Sequence, residues 1–299
     1  MIGIEGLAKL RPLLGEIGDA KRVRVASAPG SLAEQAFSRS WARLAHGEDG
    51  ELVALSETAA AVVRARLAGI DVEVLRSAAL SDYDTLEILR RAFDQFGDVV
   101  PAELRGRLRT AISLTCKAAT TAPGLAAALC RQPRAGATCP GLPRIIVEPP
   151  ESHGDHCFTV AVYGVLISAL VGSDPATPFL LGLAHHLHNV ELPDAGFAGD
   201  ELLGDHLPRM IAVLAERELS ALPVPLAQQL REVLVLRDDA VLPASQAFHA
   251  ADVIDRVLQV HHHASAAAFT AAAALDDLHL VHAGPVQSFH HGVLAAAGL

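Results

Sequence analysis

Three short segments of this 299-residue chain carry metal-capable side chains at the start or end of an apolar run: SHGDHCFTVAVYG, GLAHHLHNVELPD and AFHAADVIDRV. Imidazole nitrogens and carboxylate oxygens bind divalent transition ions, and helices of a bundle can aim such groups from different elements at one interior point. In the first segment His153 and His156 are three residues apart and share a helical face; in the last, His249, Asp252 and Asp255 are spaced likewise. His185, His186 and His188 crowd the second. Of the fifteen histidines only His46 precedes residue 150, so chemistry is expected in the second half.

Holding such residues requires helices, and the composition favours them. The chain is 51% hydrophobic but only 4% aromatic, and its apolar residues are mostly Ala, Leu and Val, which suits helices packed through small side chains. Apolar positions recur at helical spacing over Leu52 to Ala68, Tyr83 to Phe96 and Ala102 to Ala119. The segment SDYD at 81 to 84 offers an N-cap, and Pro101 suits a helix start. Residues 131 to 155 are rich in Pro and Gly and predict a connector, with a short extended piece at Arg144 to Val147. Beyond it the pattern predicts helices over His156 to Val171, Thr177 to Asn189, Asp200 to Glu216, Pro225 to Arg237 and Pro243 to Ala274. The expected organisation is a helical region over 1–130, a connector over 131–155 and a metal-binding helical domain over 156–299.

With those residues in place the second half resembles the HD superfamily of metal-dependent enzymes. HCFTVAVYGVLIS looks like the motif in which a His opens a helix, LLGLAHHLHN like the His-Asp pair that ends the next, and FHAADVIDRV like the distant Asp of a later helix. The resemblance covers roughly residues 150 to 265 and implies an all-α, HD-domain-like bundle with an additional N-terminal helical region. It further implies a metal site from His156, His185 and Asp252. Where the family has its defining Asp, this chain has His186. His186 is itself a ligand candidate, but a neutral imidazole brings no negative charge and bridges two ions poorly, so one divalent ion (Fe, Mn, Co, Zn or Ni) is expected in place of a bridged pair.

The resemblance implies a phosphohydrolase acting on a phosphomonoester or a nucleotide-type substrate through a metal-activated water. His186, His188 or Asp194 would move the proton, Arg237 or Arg209 would stabilise charge, and His206 is a further ligand candidate. Two alternatives stand beside it: an HD-fold non-haem iron oxygenase acting on a small polyol or phosphonate, and a metal-degenerate module for signalling or binding. The bland readings also stand. A lone histidine such as His206 is more often a surface or core residue than a ligand, and the run His261 to His263 reads as a helix surface.

The formal net charge of −10 excludes a global attraction to duplex nucleic acid or to an anionic membrane, so the expected partner is a small anionic substrate, with homo-oligomerisation left open. The apolar stretch Cys157 to Val171 is short for a membrane span and predicts a buried core helix. No secretory layout opens the chain and its four cysteines form no C-x-x-C pair, which predicts reduced thiols and a cytoplasmic protein. Cys130 and Cys139 flank a turn-rich segment at a spacing unusual for zinc.

Overall fold

A computed structural model describes residues 4–112, 121–142, 144–146, 148–239, 241–268 and 287–297. The fold is all-α. In chain order, α1 (Ile4–Gly18) leads through a short hairpin, β1 (Arg24–Val25) and β2 (Ala28–Ser31), into α2 (Leu32–Ala45), α3 (Gly50–Leu67), α4 (Val72–Ser77), α5 (Asp82–Asp94), α6 (Ala102–Ala111) and α7 (Gly124–Arg131). Then follow α8 (His153–Val171), α9 (Ala176–Ala184), α10 (Gly196–Leu203), α11 (Leu207–Ser220), α12 (Val224–Leu236), α13 (Pro243–Ala267) and α14 (Gln287–Ala297).

The helices start where the sequence supplies caps. Ser81 accepts the Asp84 N–H to open α5, and Asp49 and Asp71 do the same for α3 and α4. Some expected ends differ. Thr177 to Asn189 is not one helix: α9 stops at Ala184, and a 3₁₀ turn follows over Leu187–Val190. Asp200 to Glu216 is likewise interrupted by a 3₁₀ turn at Gly204–His206, where Gly204 has a positive φ of 51°. The parts of the expected helices beyond 112 and beyond 268 lie outside the described residues, as does Val147.

Helix α8 is the centre of the first half and the second alike. Every residue from His153 to Ser168 is buried, so a helix long and apolar enough to cross a membrane is here the core of a bundle. It packs against α1, α2, α3, α7 and α9. Its first turn is closed by a capping box: Ser152 Oγ accepts the Asp155 N–H at 3.1 Å and Asp155 Oδ2 accepts the Ser152 N–H at 3.2 Å. The other Asp155 oxygen takes the hydroxyl proton of Ser31, the cap of α2, so two helix starts are tied together.

This packing corrects the expected division of the chain. Residues 1–256 form one compact unit and 257–299 a second, so 131–155 is not a boundary between domains. That segment is an excursion folded back on itself, with antiparallel bridges at Pro133–Ser152 and Ala137–Ile145, and Arg134 N–H donates to the Glu151 carbonyl at 2.8 Å. The extended piece near Arg144 is the outer of these bridges. Cys130, Cys139 and Cys157 are free thiols. Burial pushes the Cys130 thiol up to about 12, which leaves it protonated and inert at neutral pH.

Helices α8 and α9 approach closely because glycines face the contact. A Cβ on Gly182 would lie 2.4 Å from the Ala161 backbone, and one on Gly164 3.1 Å from Pro178 Cβ. Gly182→Ala is expected to force the helices apart and destabilise the protein by about 1–3 kcal/mol, read as a lower urea midpoint at unchanged slope. An unchanged midpoint would mean that the contact relaxes freely.

Candidate metal centre

The first turn of α8 sends His156 into the interior, where its two ring nitrogens meet different partners. Nδ1 lies 2.8 Å from Asp255 Oδ2 on α13. Nε2 lies 3.2 Å from His185 Nε2 and 3.3 Å from Asp252 Oδ1, one turn before Asp255 on the same helix face. His185, at the end of α9, has its Nδ1 2.8 Å from the Gly182 carbonyl. A carboxylate and a carbonyl are acceptors only, so both rings carry a proton on Nδ1. The two Nε2 atoms therefore face each other across 3.2 Å with nothing between them in common but a lone-pair direction. Such an arrangement is repulsive unless a cation, a proton or a metal ion, sits there. Metal–nitrogen bonds of about 2.0–2.1 Å around a tetrahedral ion set neighbouring donors about 3.3 Å apart, which the two distances at His156 match.

His186 is drawn into the same cluster. The donor atoms of His156, His185 and His186 lie mutually within 4.8 Å, while Asp252 joins from one side through His156. Both nitrogens of His186 are taken: Nδ1 is 2.7 Å from Asn189 Oδ1, and Nε2 accepts from Arg134 Nη1 at 3.2 Å. As a ligand it would have to release Arg134. His153 stacks edge-on against His186 with ring centres 4.9 Å apart, and its Nδ1 faces the Gln132 carbonyl at 3.0 Å.

A second acidic group, Glu151, His156 and Asp255, also has its donor atoms within 4.8 Å, but the Lys21 ammonium already fills it. Lys21 Nζ lies 2.5 Å from both Glu151 Oε1 and Asp255 Oδ1, and all three side chains are nearly or fully buried. Burial alone would neutralise Lys21; the two carboxylates outweigh it and raise its pKa. Burial likewise opposes the Asp255 carboxylate, and Lys21 with His156 holds it charged. The chain His185, His156, Asp255, Lys21, Glu151 is thus one buried polar network that draws on α1's end, α8, α9, α13 and the 131–155 excursion.

Burial keeps His185 and His186 neutral. Burial, reinforced by His156, pushes His185 well below the usual histidine range, and burial with His185 and Arg134 does the same to His186. Burial opposes the Asp252 carboxylate, but the His156 contact, the His185 ring and the Arg256 guanidinium at 2.9 Å from Oδ2 hold it far below the ordinary value.

The remaining sequence candidates are scattered. His188 is half-buried, its ring 5.7 Å from that of His186, and burial with the charge of Arg237 brings its pKa down to about 4. Asp194 is fixed by the Ala135 and Gly196 N–H groups at 3.0 and 2.9 Å, and lies 3.8 Å from His153 Nε2. Those two donors and its charged neighbours overcome burial and keep it ionised, so it orients the loop and is a poor proton carrier. Arg237 pairs with Asp238, Arg209 is exposed, and His206 is exposed on its 3₁₀ turn outside any described cluster, which removes it from the ligand set. Lys21, Glu151, Arg134 and Asn189 were not legible as site residues. Lys21 sits in a region without catalytic signature, and the Pro/Gly-rich excursion that delivers Arg134 and Glu151 reads as a linker.

Comparison of the chain with protein-family models, with curated proteins and with solved structures finds no match.

Two outcomes follow from the buried network. Lys21→Met leaves Asp255 and Glu151 facing each other without their cation, and is expected to lose about 3–5 kcal/mol in denaturant unfolding; a neutral effect would show that the carboxylates reach solvent. For pH, His153, like His188, has its pKa lowered from 6.5 to about 4 in the fold, in its case by burial and then by Arg134. The unfolded chain protonates these rings near pH 6.5 and the folded chain only near pH 4, so the unfolded state binds more protons in between. Stability is therefore lost as pH falls through that window, by up to about 1.4 kcal/mol per pH unit for each ring. Urea midpoints from pH 7 to 5 check this, and His188→Gln should flatten the slope.

Proposed function

We propose that this chain is a metal-dependent hydrolase acting on a phosphoester, with one divalent transition ion held by His156, His185 and Asp252 and His186 as the nearest further donor. The observation that carries the proposal is the convergence of His156 Nε2 with His185 Nε2 at 3.2 Å and Asp252 Oδ1 at 3.3 Å, while the Nδ1 of each ring faces Asp255 or the Gly182 carbonyl. Polar groups buried this way need a positive partner, and the donor set of imidazoles with one carboxylate suits Zn, Fe, Mn, Co or Ni better than Mg or Ca. The HD resemblance of the same residues points to phosphoester chemistry.

When bound, such an ion lowers the pKa of a coordinated water and polarises a phosphoryl oxygen. The protein's own groups do the rest. Asp255, clamped by Lys21, fixes the His156 ring and its tautomer; the Gly182 carbonyl does so for His185. Arg256 engages one oxygen of Asp252 and leaves the other toward His156. Arg134, hydrogen-bonded to His186, is the guanidinium placed to meet equatorial phosphoryl oxygens, a role that Arg237, paired with Asp238, fills less well. His188, neutral at pH 7, accepts a proton; His186 and Asp194, held by hydrogen bonds, do so less readily. The Lys21 ammonium stands where a second ion would need carboxylates, which favours a mononuclear hydrolase over an oxygenase with two irons. Free Cys130, Cys139 and Cys157 suit the cytoplasm, where we place the protein.

Elemental analysis of protein expressed in metal-supplemented medium tests the proposal. About one ion per chain is expected, lost in Asp252→Ala and in His185→Ala, with chelator-sensitive hydrolysis of p-nitrophenyl phosphate or its bis-ester. Absence of bound metal would overturn the ligand assignment, and two irons with a visible chromophore would replace the hydrolase by the oxygenase.

A further inference from the structure

Away from the metal centre, a cleft of about 770 Å³ opens between the β2 hairpin, α2, α3, α4 and α7. None of His156, His185, His186 or Asp252 lines it. Its size is that of a site for a small organic molecule. Its walls mix two kinds of surface. Apolar side chains, among them Ala60, Val63, Ile70, Val72 and Leu89, form one part, and arginines the other.

The arginines are not equivalent. Arg39 is spent on Glu57, with Nε 3.0 Å from Oε1 and Nη2 2.7 Å from Oε2. Arg43 is spent on Glu48, Ser56 and Glu57. Two of the lining carboxylates are occupied as well: Glu34 caps the Ser31 N–H, and Asp71 accepts the N–H groups of Glu73 and Val74, while the third, Glu73, is exposed. Arg64, on α3, is different. Its guanidinium makes no hydrogen bond or ion pair with any described residue, and its Nη1 is closed off from solvent without a partner. Burial and the adjacent charge of Arg39 bring its pKa down to about 10, against the opposing pull of Glu57 and Asp71. A guanidinium with a closed-off N–H and no acceptor, beside Glu57 and Asp71 that are hydrogen-bonded elsewhere, is suited to receive an anion from outside the chain.

We propose that this cleft binds a small organic anion, its carboxylate or phosphate-type head on Arg64 and its apolar body against the face of Ala60, Val63 and Val72. The head needs two oxygens to satisfy a guanidinium fork, and the apolar wall rejects a bare inorganic ion. The site is independent of the metal reading, because no residue is shared.

The test uses the full-length protein kept metal-free with chelator, titrated calorimetrically with phenylphosphonate and with benzoate, and with benzyl alcohol as the uncharged control. At least one anion is expected to bind with Kd below about 1 mM and the alcohol not to bind; the tighter anion identifies the head group. Arg64→Met is expected to weaken that binding about tenfold or more. Ala60→Phe, which fills the cleft and leaves the guanidinium in place, is expected to weaken it as well, and stands as the test should Arg64→Met fail to fold. No binding by either anion, equal binding by the alcohol, or unchanged binding in both variants overturns the proposal.

Discussion

His156 is a polar side chain inside a helix buried on every face, and the surrounding structure is arranged to make that tolerable. Its Nδ1 needs an acceptor, which Asp255 supplies; a buried carboxylate in turn needs a cation, which Lys21 supplies; and Lys21 also neutralises Glu151. Each member left alone would face the desolvation penalty of an isolated charge in the interior, and together they satisfy one another. The constraint reaches far along the chain, since Lys21 and Asp255 are 234 residues apart. It binds the N-terminal helices to the helix that carries the metal-capable side chains.

Once Asp255 holds one nitrogen of His156, the geometry of the other is decided. Nε2 must look toward the end of α9, and the glycine contact between α8 and α9 brings that end close enough for His185 to meet it. Close approach of two backbones and orientation of two imidazoles are therefore aspects of one contact. The same burial that makes the network necessary keeps His185 and His186 unprotonated, which is the form in which an imidazole binds a metal.

The two ring nitrogens of His186 are balanced locally. A carboxylate at that place would attract Arg134 as an ion pair, whereas the neutral ring accepts one N–H from Arg134 and gives its own proton to Asn189. The guanidinium is also ion-paired with Glu151, whose Oε2 lies 3.9 Å from its Nε. The cleft at Arg64 holds a second guanidinium, which stands beside apolar side chains while Glu34, Glu57 and Asp71 are hydrogen-bonded elsewhere.

The grouping of His156, His185 and Asp252 was what a resemblance in motif order implied; the all-helical class, the caps at Ser81 and Pro101 and the buried character of the His156 helix were determined by the amino-acid sequence alone. These follow from local spacing and from side-chain type, which act over a few residues and are written in the order of the chain. What only the tertiary structure decided is which groups from distant segments share a dielectric-poor interior. Lys21, Arg134 and Glu151 carry no local signal, because their roles come from the charge that burial leaves unbalanced at Asp255 and His186. The exclusion of His206 was likewise decided by a turn at Gly204 that faces it outward, a matter of backbone path that histidine spacing does not encode. Long-range electrostatic compensation is a property of the folded chain, and it is what holds the His156 cluster together.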